Sequence, residues 1–236
     1  MREVAHGIYE IAIAHVIVNA FLVLGDSLTL VDAGLPGRKD QLLGAVREAG
    51  RNPGDIRHVA ITHHHVDHIG SLASIARATG ARVYAHRLEA PILRGDEPPP
   101  PLVGRSARSR AFLAVLQRLG PTSAAPAQVD HEVSDDEELA GTGLRVVYTP
   151  GHTMGHVSFF HPASGTLFVG DAAASGRRGL TKPAGNHDED PGAATDSIAR
   201  LAGLDFETAC FGHGHTVSRR AREAFSDLAD QLSVSP

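Results

Sequence analysis

The feature that most constrains this chain is a run of histidines with one aspartate, Thr62-His63-His64-His65-Val66-Asp67-His68. It contains the order His-x-His-x-Asp-His. Imidazole nitrogens and carboxylate oxygens are usual ligands of zinc and related cations in catalytic sites. In an extended backbone His63 and His65 point to the same side, whereas Asp67 and His68 turn toward a neighbouring point. One loop of this kind can therefore supply ligands to two metal ions.

The residues around this cluster predict a loop between a strand and a helix. His58-Val59-Ala60-Ile61 is short, apolar and β-branched, as expected of a buried strand, and Gly70 to Thr79 is typical of a helix. Open α/β sheets place ligands at the carboxyl ends of their strands. A terminal expression tag or a solvated histidine-rich loop would lack the embedded Asp67 and the apolar strand, so we favour a metal site.

Three stretches in the second half carry the same residue types, each after a predicted apolar strand. The strands are Leu144–Tyr148, Thr166–Val169 and Thr208–Phe211. The stretches that follow them are Thr149-Pro150-Gly151-His152-Thr153-Met154-Gly155-His156, then Gly170-Asp171, then Gly212-His213-Gly214-His215. Helical periodicity predicts helices over Lys39–Ala49, Pro191–Ala202 and Ala221–Leu232.

Composition excludes several classes of function. A chain of 236 residues with 42% hydrophobic residues can build a large core, and we predict a single domain over residues 1–236. The net charge of -5 and the lack of a basic stripe argue against nucleic acid as partner. The single cysteine, Cys210, indicates a reducing compartment. Because no secretory or membrane-spanning apolar run is present, we expect a cytoplasmic protein that acts on a small molecule.

Taken in order, these motifs resemble those of the metallo-β-lactamase-fold hydrolases. This superfamily includes glyoxalase II-like thioesterases, lactonases, sulfur dioxygenases and β-lactamases. The resemblance covers nearly the whole chain apart from residues 94–129. It implies an α/β (α+β) fold, the αββα four-layer sandwich, in which two β-sheets pack face to face with helices outside.

The resemblance also implies a complete set of ligands for a binuclear metal centre. One metal would be held by His63, His65 and His152, the other by Asp67, His68 and His213, with Asp171 bridging the two. His215 is the rival of His213 for the last position. The expected cofactors are two divalent ions, zinc in the first place, with iron and manganese as alternatives that the same ligands accept.

Two further residues are expected to support the ligands. His156 belongs to the second motif, and we expect it to make structural hydrogen bonds. Asp32 follows the predicted strand Ser27–Val31. The resemblance gives Asp32 the role of a carboxylate that orients a ligand, whereas turn or helix capping is the alternative.

The chemistry implied by the resemblance is hydrolysis. A hydroxide held between two cations would attack a carbonyl carbon, since coordination can lower the pKa of water from 15.7 to about 7. Asp171 and Asp67 are the expected catalytic carboxylates, the first by bridging the metals and the second by guiding a proton. The chain contains no Gly-x-Ser-x-Gly nucleophile motif.

Departures from the motifs of particular family members reduce the number of possible substrate classes. The related β-lactamases generally lack a bridging aspartate and act outside the cytoplasm. Glyoxalase II-like enzymes usually add a C-terminal helical region, and only about twenty residues follow Val217. Acyl-homoserine lactonases place a tyrosine where Ala172, Ala173 and Ala174 stand. We expect an ester, lactone or thioester hydrolase, with β-lactamase-like activity at most a minor side reaction.

Two rival functions stay open at this point. The first is a mononuclear iron persulfide dioxygenase, whose motifs overlap with these. The second is a non-catalytic metal-binding or interaction protein. Metal analysis distinguishes the dioxygenase from a hydrolase, and loss of turnover in ligand variants distinguishes the non-catalytic protein.

Residues 94 to 129 depart from the alternation of strands and helices. Gly95-Asp96-Glu97-Pro98-Pro99-Pro100-Pro101 must be extended and solvated, whereas Ala111–Leu116 predicts a helix. We expect this insertion to be a lid that shapes the substrate pocket. A plain surface excursion and a homodimer contact are the alternatives, and the oligomeric state is open.

Overall fold

A computed structural model describes residues 1–14, 18–101, 110–111, 114, 123–177, 179–182 and 188–233. Within these residues one sheet has seven strands in chain order, the first four antiparallel and β4 to β7 parallel. Its strands are β1 Arg2–Ala5, β2 Ile8–Ile13, β3 Val18–Leu24, β4 Leu28–Val31, β5 Ile56–Ala60, β6 Arg82–His86 and β7 His131–Val133.

The second sheet is built by the second half of the chain. In the described residues it has six strands in the order β15-β14-β11-β10-β9-β8, and β11 pairs with β14 in parallel. Its strands are β8 Glu138–Leu139, β9 Leu144–Tyr148, β10 Val157–His161, β11 Thr166–Gly170, β14 Thr208–Phe211 and β15 Val217–Ser218. A separate hairpin pairs β12 Ala174–Gly176 with β13 Gly179–Thr181.

Helices cover the outer faces of both sheets. Within the described ranges the α-helices are α1 Lys39–Glu48, α2 Val66–Ile69, α3 Leu72–Thr79, α4 Ala90–Arg94, α5 Pro191–Ala202 and α6 Ala221–Ser233, and short 3-10 turns span Pro53–Asp55 and Pro162–Ser164. In the part of the chain that the structure describes, no helix combines the length and the apolar character needed to cross a bilayer.

Three apolar clusters define the layers. The inner cluster lies between the sheets, where the rings of Phe21 and Phe168 meet with centroids 5.5 Å apart. A second cluster packs α1 and α3 on the first sheet through residues such as Leu42 and Leu72. A third packs α5 and α6 on the second sheet through Ile198 and Phe225. The predicted αββα sandwich is therefore confirmed.

The structure differs from the sequence predictions at two places. The helix predicted over Gly70–Thr79 begins at Leu72 as α3, and a separate short helix, α2, occupies Val66–Ile69, which were predicted to lie in the loop. Between the two helices Gly70 packs so closely that a Cβ there would lie 2.2 Å from Pro36 Cδ. The hairpin of β12 and β13 has no counterpart among the predicted strands. The helix predicted at 111–116 lies largely outside the described residues, and the lid role of 94–129 stays a prediction.

Candidate metal centre

Strands of both sheets end at one edge of the sandwich, and the predicted ligands follow those ends. After β5, the loop carries His63 and His65 and the short helix α2 carries His68, and β5 is parallel to its neighbours β4 and β6. Asp171 follows β11, and His213 follows β14, its parallel neighbour. Carboxyl ends of parallel strands meet at the same edge, so distant parts of the sequence converge.

Three imidazoles form the first group. His63 Nε2 lies 3.1 Å from His65 Nδ1, and His65 Nδ1 lies 3.0 Å from His152 Nε2. The ligand-type atoms of these three residues all lie within 4.8 Å of one another. His63 is fully buried and His152 is 2% exposed, which limits the ways in which the rings can reorient.

Asp171 lies among the remaining residues. Its Oδ2 is 3.2 Å from His213 Nε2 and 3.5 Å from His152 Nε2, and its Oδ1 is 3.5 Å from His68 Nε2. His213 Nε2 is also 3.3 Å from Asp67 Oδ2. Ligand-type atoms within 4.8 Å of one another form two further groups, namely His63 with His68 and Asp171, and Asp67 with His68 and His213.

The donor atoms fit a divalent cation. Among the described residues, His68 Nε2 and Asp171 Oδ1 are buried without a hydrogen-bond partner, although buried polar atoms are normally paired. Both residues belong to the group of His63, His68 and Asp171, here called the middle group. It shares His63 with the first group and His68 with the third group, which is Asp67, His68 and His213. Imidazole and carboxylate donors of this kind suit zinc, iron and manganese.

Without a metal, the ionisation of the cluster is divided between its residues. Burial would lower the pKa of His68 and His213, but the Asp171 carboxylate raises it to about 9 and about 11, so a metal would have to displace a proton from each ring. Burial would raise the pKa of the Asp171 carboxyl, but the imidazoles of His213 and His68 hold it well below its ordinary range. Burial, followed by the neighbouring ring of His68, lowers the pKa of His63 well below its ordinary value. Neutral imidazole and ionised carboxylate are the forms that bind metal.

His215 lies apart from these groups. Its side chain is exposed, and its backbone N–H donates to Ser175 Oγ at 3.1 Å. The structure therefore brings His213 rather than His215 to the other candidate ligands.

The two predicted supporting residues make the expected contacts. Asp32 Oδ2 lies 2.8 Å from His68 Nδ1, and Asp32 Oδ1 accepts a 2.9 Å hydrogen bond from the Thr62 backbone. His156 Nδ1 lies 2.8 Å from Thr149 Oγ1, and its Nε2 accepts from the Asp171 backbone N–H at 2.9 Å. Burial, followed by the His152 ring, lowers the pKa of His156 to about 3, so its neutral ring serves as the acceptor.

Asp188 is a supporting residue that the sequence analysis missed. It is 5% exposed, and its Oδ1 lies 3.3 Å from His152 Nδ1. A carboxylate in this position orients a ligating imidazole. In the sequence it stands beside Glu189 and Asp190 without any feature that separates it from its neighbours.

Asn19 was missed as well. Its Nδ2 donates to the Phe211 carbonyl at 3.0 Å and to the Gly214 carbonyl at 2.8 Å, on either side of His213. The side chain is fully buried. It thus ties the loop that carries His213 to strand β3.

Gly151 permits a close approach beside His152. Its φ is +131°, and a Cβ there would lie 2.2 Å from the backbone nitrogen of Ala194 in α5. Because backbone atoms cannot move aside cheaply, we expect Gly151→Ala to lower the free energy of unfolding by about 3 kcal/mol, the upper end of overpacking costs. Denaturant titration measures this change.

Gly37→Ala is the matched control. Gly37 has a φ of +77°, but nothing lies within 4 Å of the place that a Cβ would take. Only the left-handed backbone should therefore cost stability, about 1–2 kcal/mol. Equal losses in the two variants would contradict the steric explanation.

A four-layer sandwich with a histidine–aspartate cluster at its strand ends defines a class of metal-dependent hydrolases. The family model described as "Metallo-beta-lactamase superfamily" matches residues 14–213. The chain therefore belongs to the metallo-beta-lactamase superfamily. The prediction of a metal-dependent hydrolase of this superfamily is confirmed at that level.

Similar proteins support the same family. The chain is 27% identical to a probable metallo-hydrolase, YflN, of Bacillus subtilis, over 98% of this chain and 93% of that protein. It is 31% identical to a hydroxyacylglutathione hydrolase of Rhodobacter capsulatus over 69% of this chain. That match covers 50% of the relative, so the chain spans about half the length of this hydrolase.

Solved structures share the fold. A metallo-beta-lactamase family protein from Thermus thermophilus is similar with a TM-score of 0.71 and 26% identity, over 98% of this chain and 81% of that chain. The metallo-beta-lactamase MIM-1 from Novosphingobium pentaromativorans gives the same TM-score at 20% identity, over 98% and 87% of the two chains, and shows the fold alone.

Proposed function

We propose that the protein is a dinuclear metal-dependent hydrolase of an ester, lactone or thioester. One observation carries this proposal. The three groups of candidate ligands are linked by shared residues. The middle group contains Asp171 and shares a histidine with each outer group. We assign His63, His65 and His152 to one cation, Asp67, His68 and His213 to the other, and Asp171 to the bridge. We propose zinc as the metal.

When bound, two such cations would supply a nucleophile near neutral pH by lowering the pKa of a water molecule from 15.7 to about 7. The chain's own residues do the rest. Asp171 places one carboxylate oxygen within 3.5 Å of both His152 and His213. It therefore sets the spacing between the first and third groups of candidate ligands. Asp67 is 29% exposed, and although burial would raise its pKa, the hydrogen bond to His213 lowers it, so it faces the open side of the site as an ionised carboxylate.

The substrate class rests on the carbonyl chemistry that such a site performs. The hydroxyacylglutathione hydrolases among the relatives support including acylated thiols among the substrates to be tested. We also propose a cytoplasmic location, on the basis of the single cysteine. We propose that residues 94–129 act as a lid.

Metal quantification joined to a substrate panel tests the proposal. We expect about two zinc ions per chain, and turnover of at least one lactone or thioester with weak turnover of β-lactams. His213→Ala should lose metal and activity, whereas the matched variant His215→Ala should keep both, since His215 lies outside the candidate groups.

Three results would contradict the proposal. One iron per chain together with oxygen uptake on a persulfide would assign the dioxygenase reaction instead. A chain that binds no divalent metal, or that turns over substrate equally well after His63→Ala, would leave no role for the assigned ligands.

A further inference from the structure

Glu89 is a buried acid outside the ligand set. It follows β6, immediately before α4, and is 1% exposed. A carboxylate this deeply buried is costly unless hydrogen bonds stabilise it. The burial is therefore balanced by specific contacts.

Those contacts reach two separate loops. Glu89 Oε2 accepts from the His64 backbone N–H at 2.8 Å and lies 2.5 Å from His64 Nδ1. Its Oε1 accepts from Thr153 Oγ1 at 2.6 Å. His64 stands in the loop after β5 of the first sheet, and Thr153 in the loop after β9 of the second.

Each contacted residue is a chain neighbour of candidate ligands. His64 stands between His63 and His65, and Thr153 directly follows His152. The single carboxylate therefore holds the backbone beside all three imidazoles of the first group. Burial would raise the pKa of Glu89, but the hydrogen bond and charge of His64 lower it, so the group is an ionised acceptor.

The surrounding sequence leaves room for this connection. A Cβ at Gly155 would lie 2.4 Å from Glu89 Oε1, so any larger residue there would displace the carboxylate. The absence of a side chain at Gly155 thus leaves the space that the Glu89 carboxylate occupies beside the loop after β9.

We propose that Glu89 is a positioning residue that keeps His63, His65 and His152 at metal-binding separation by tying together the two loops that carry them. The inference rests on the proposed function in that it takes these imidazoles as ligands. Without the carboxylate, the His64 N–H and the Thr153 hydroxyl lose their buried acceptor, and both loops are free to shift. Partners of this kind typically change metal affinity by about 10–100-fold when removed.

Zinc affinity, measured by competition with a chromophoric chelator, tests this role. We expect Glu89→Ala to weaken zinc binding by about 10–100-fold and to alter the absorption spectrum of the cobalt-substituted protein. Glu89→Gln should stay close to the wild type, because its carbonyl can accept from His64 while its amide donates to Thr153. Thr142→Ala, which removes two buried hydrogen bonds at the end of β9 opposite to the loop that carries His152, should lower thermal stability with unchanged zinc affinity.

The outcomes separate this inference from the proposed function. If the wild-type protein binds zinc and Glu89→Ala binds it with the same affinity, the role of Glu89 is overturned while the proposed function stands. Glu89→Gln as weak as Glu89→Ala would overturn positioning by hydrogen bonds in favour of charge. Wild-type protein that binds no zinc would overturn both proposals.

If Glu89→Ala does not fold, a variant of Thr153 tests the same role. Thr153→Val removes only the Oε1 contact, and we expect it to weaken zinc binding by about 10-fold. Thr153→Ser keeps the hydroxyl and should restore the affinity. An unchanged affinity in Thr153→Val would count against the role of Glu89.

Discussion

Replacing Asp171 with alanine is expected to lower kcat/KM by at least about 1,000-fold, because loss of the proposed bridging carboxylate should release at least one of the cations that lower the pKa of a water molecule from 15.7 to about 7. Asp171 is 4% exposed and lies within 3.5 Å of His68, His152 and His213. Its one carboxylate thus contacts histidines of both outer groups. Its loss should release at least one metal ion per chain.

Kinetics and metal content together check this result. Asp171→Asn keeps the shape and one oxygen, so it controls for simple loss of folding, and thermal unfolding shows whether each variant is intact. We expect Asp171→Asn to fold and to retain part of the metal, with activity well below the wild type. Full activity in a folded Asp171→Ala protein would exclude a bridging role for this carboxylate.

Gly212→Ala is expected to lower kcat/KM by about 100-fold, the loss typical of a displacement of about 1 Å in an active site. A Cβ at this position would lie 2.3 Å from Asp171 Oδ1 and 2.6 Å from His68 Cε1. The added methyl group must push these two side chains apart. They hold two buried atoms without hydrogen-bond partners among the described residues, so the change acts directly on the candidate metal site.

The matched control is Gly44→Ala. Gly44 lies in α1 with nothing within 4 Å of an added Cβ, so alanine should leave activity unchanged and favour the helix slightly. Metal analysis of Gly212→Ala should show loss of one ion with the overall fold retained. Wild-type kinetics in Gly212→Ala would mean that Asp171 and His68 can move without consequence.

The residues of the candidate cluster could be picked out from the sequence because each stands in a short motif after an apolar strand. Asp32 and His156 were identified for the same reason, and their contacts are confirmed. Asn19 and Glu89 were missed because their partners are distant. Asn19 bonds to Gly214, 195 positions along the chain, and Glu89 to Thr153, 64 positions along. Such pairs leave no local pattern.

The same physical distinction applies to the fold. The strands β9 and β14 and the helix α5 were predicted with their observed bounds, because apolar runs and a proline at the first helical turn mark them. The short edge strands β1, β8 and β15 were not predicted. They have few buried residues, and pairing with a neighbour rather than apolar content defines them.

The division of the ligands between the two sheets has a consequence for how the protein acquires its metal. The first half of the chain carries four of the proposed ligands and the second half three, with Asp171 in the second. Neither half alone holds a complete set for both cations. Under the proposed assignment each cation takes ligands from both halves, so we expect tight capture of either ion to follow docking of the sheets during folding, and chelation to loosen the open edge of the sandwich before its apolar interior.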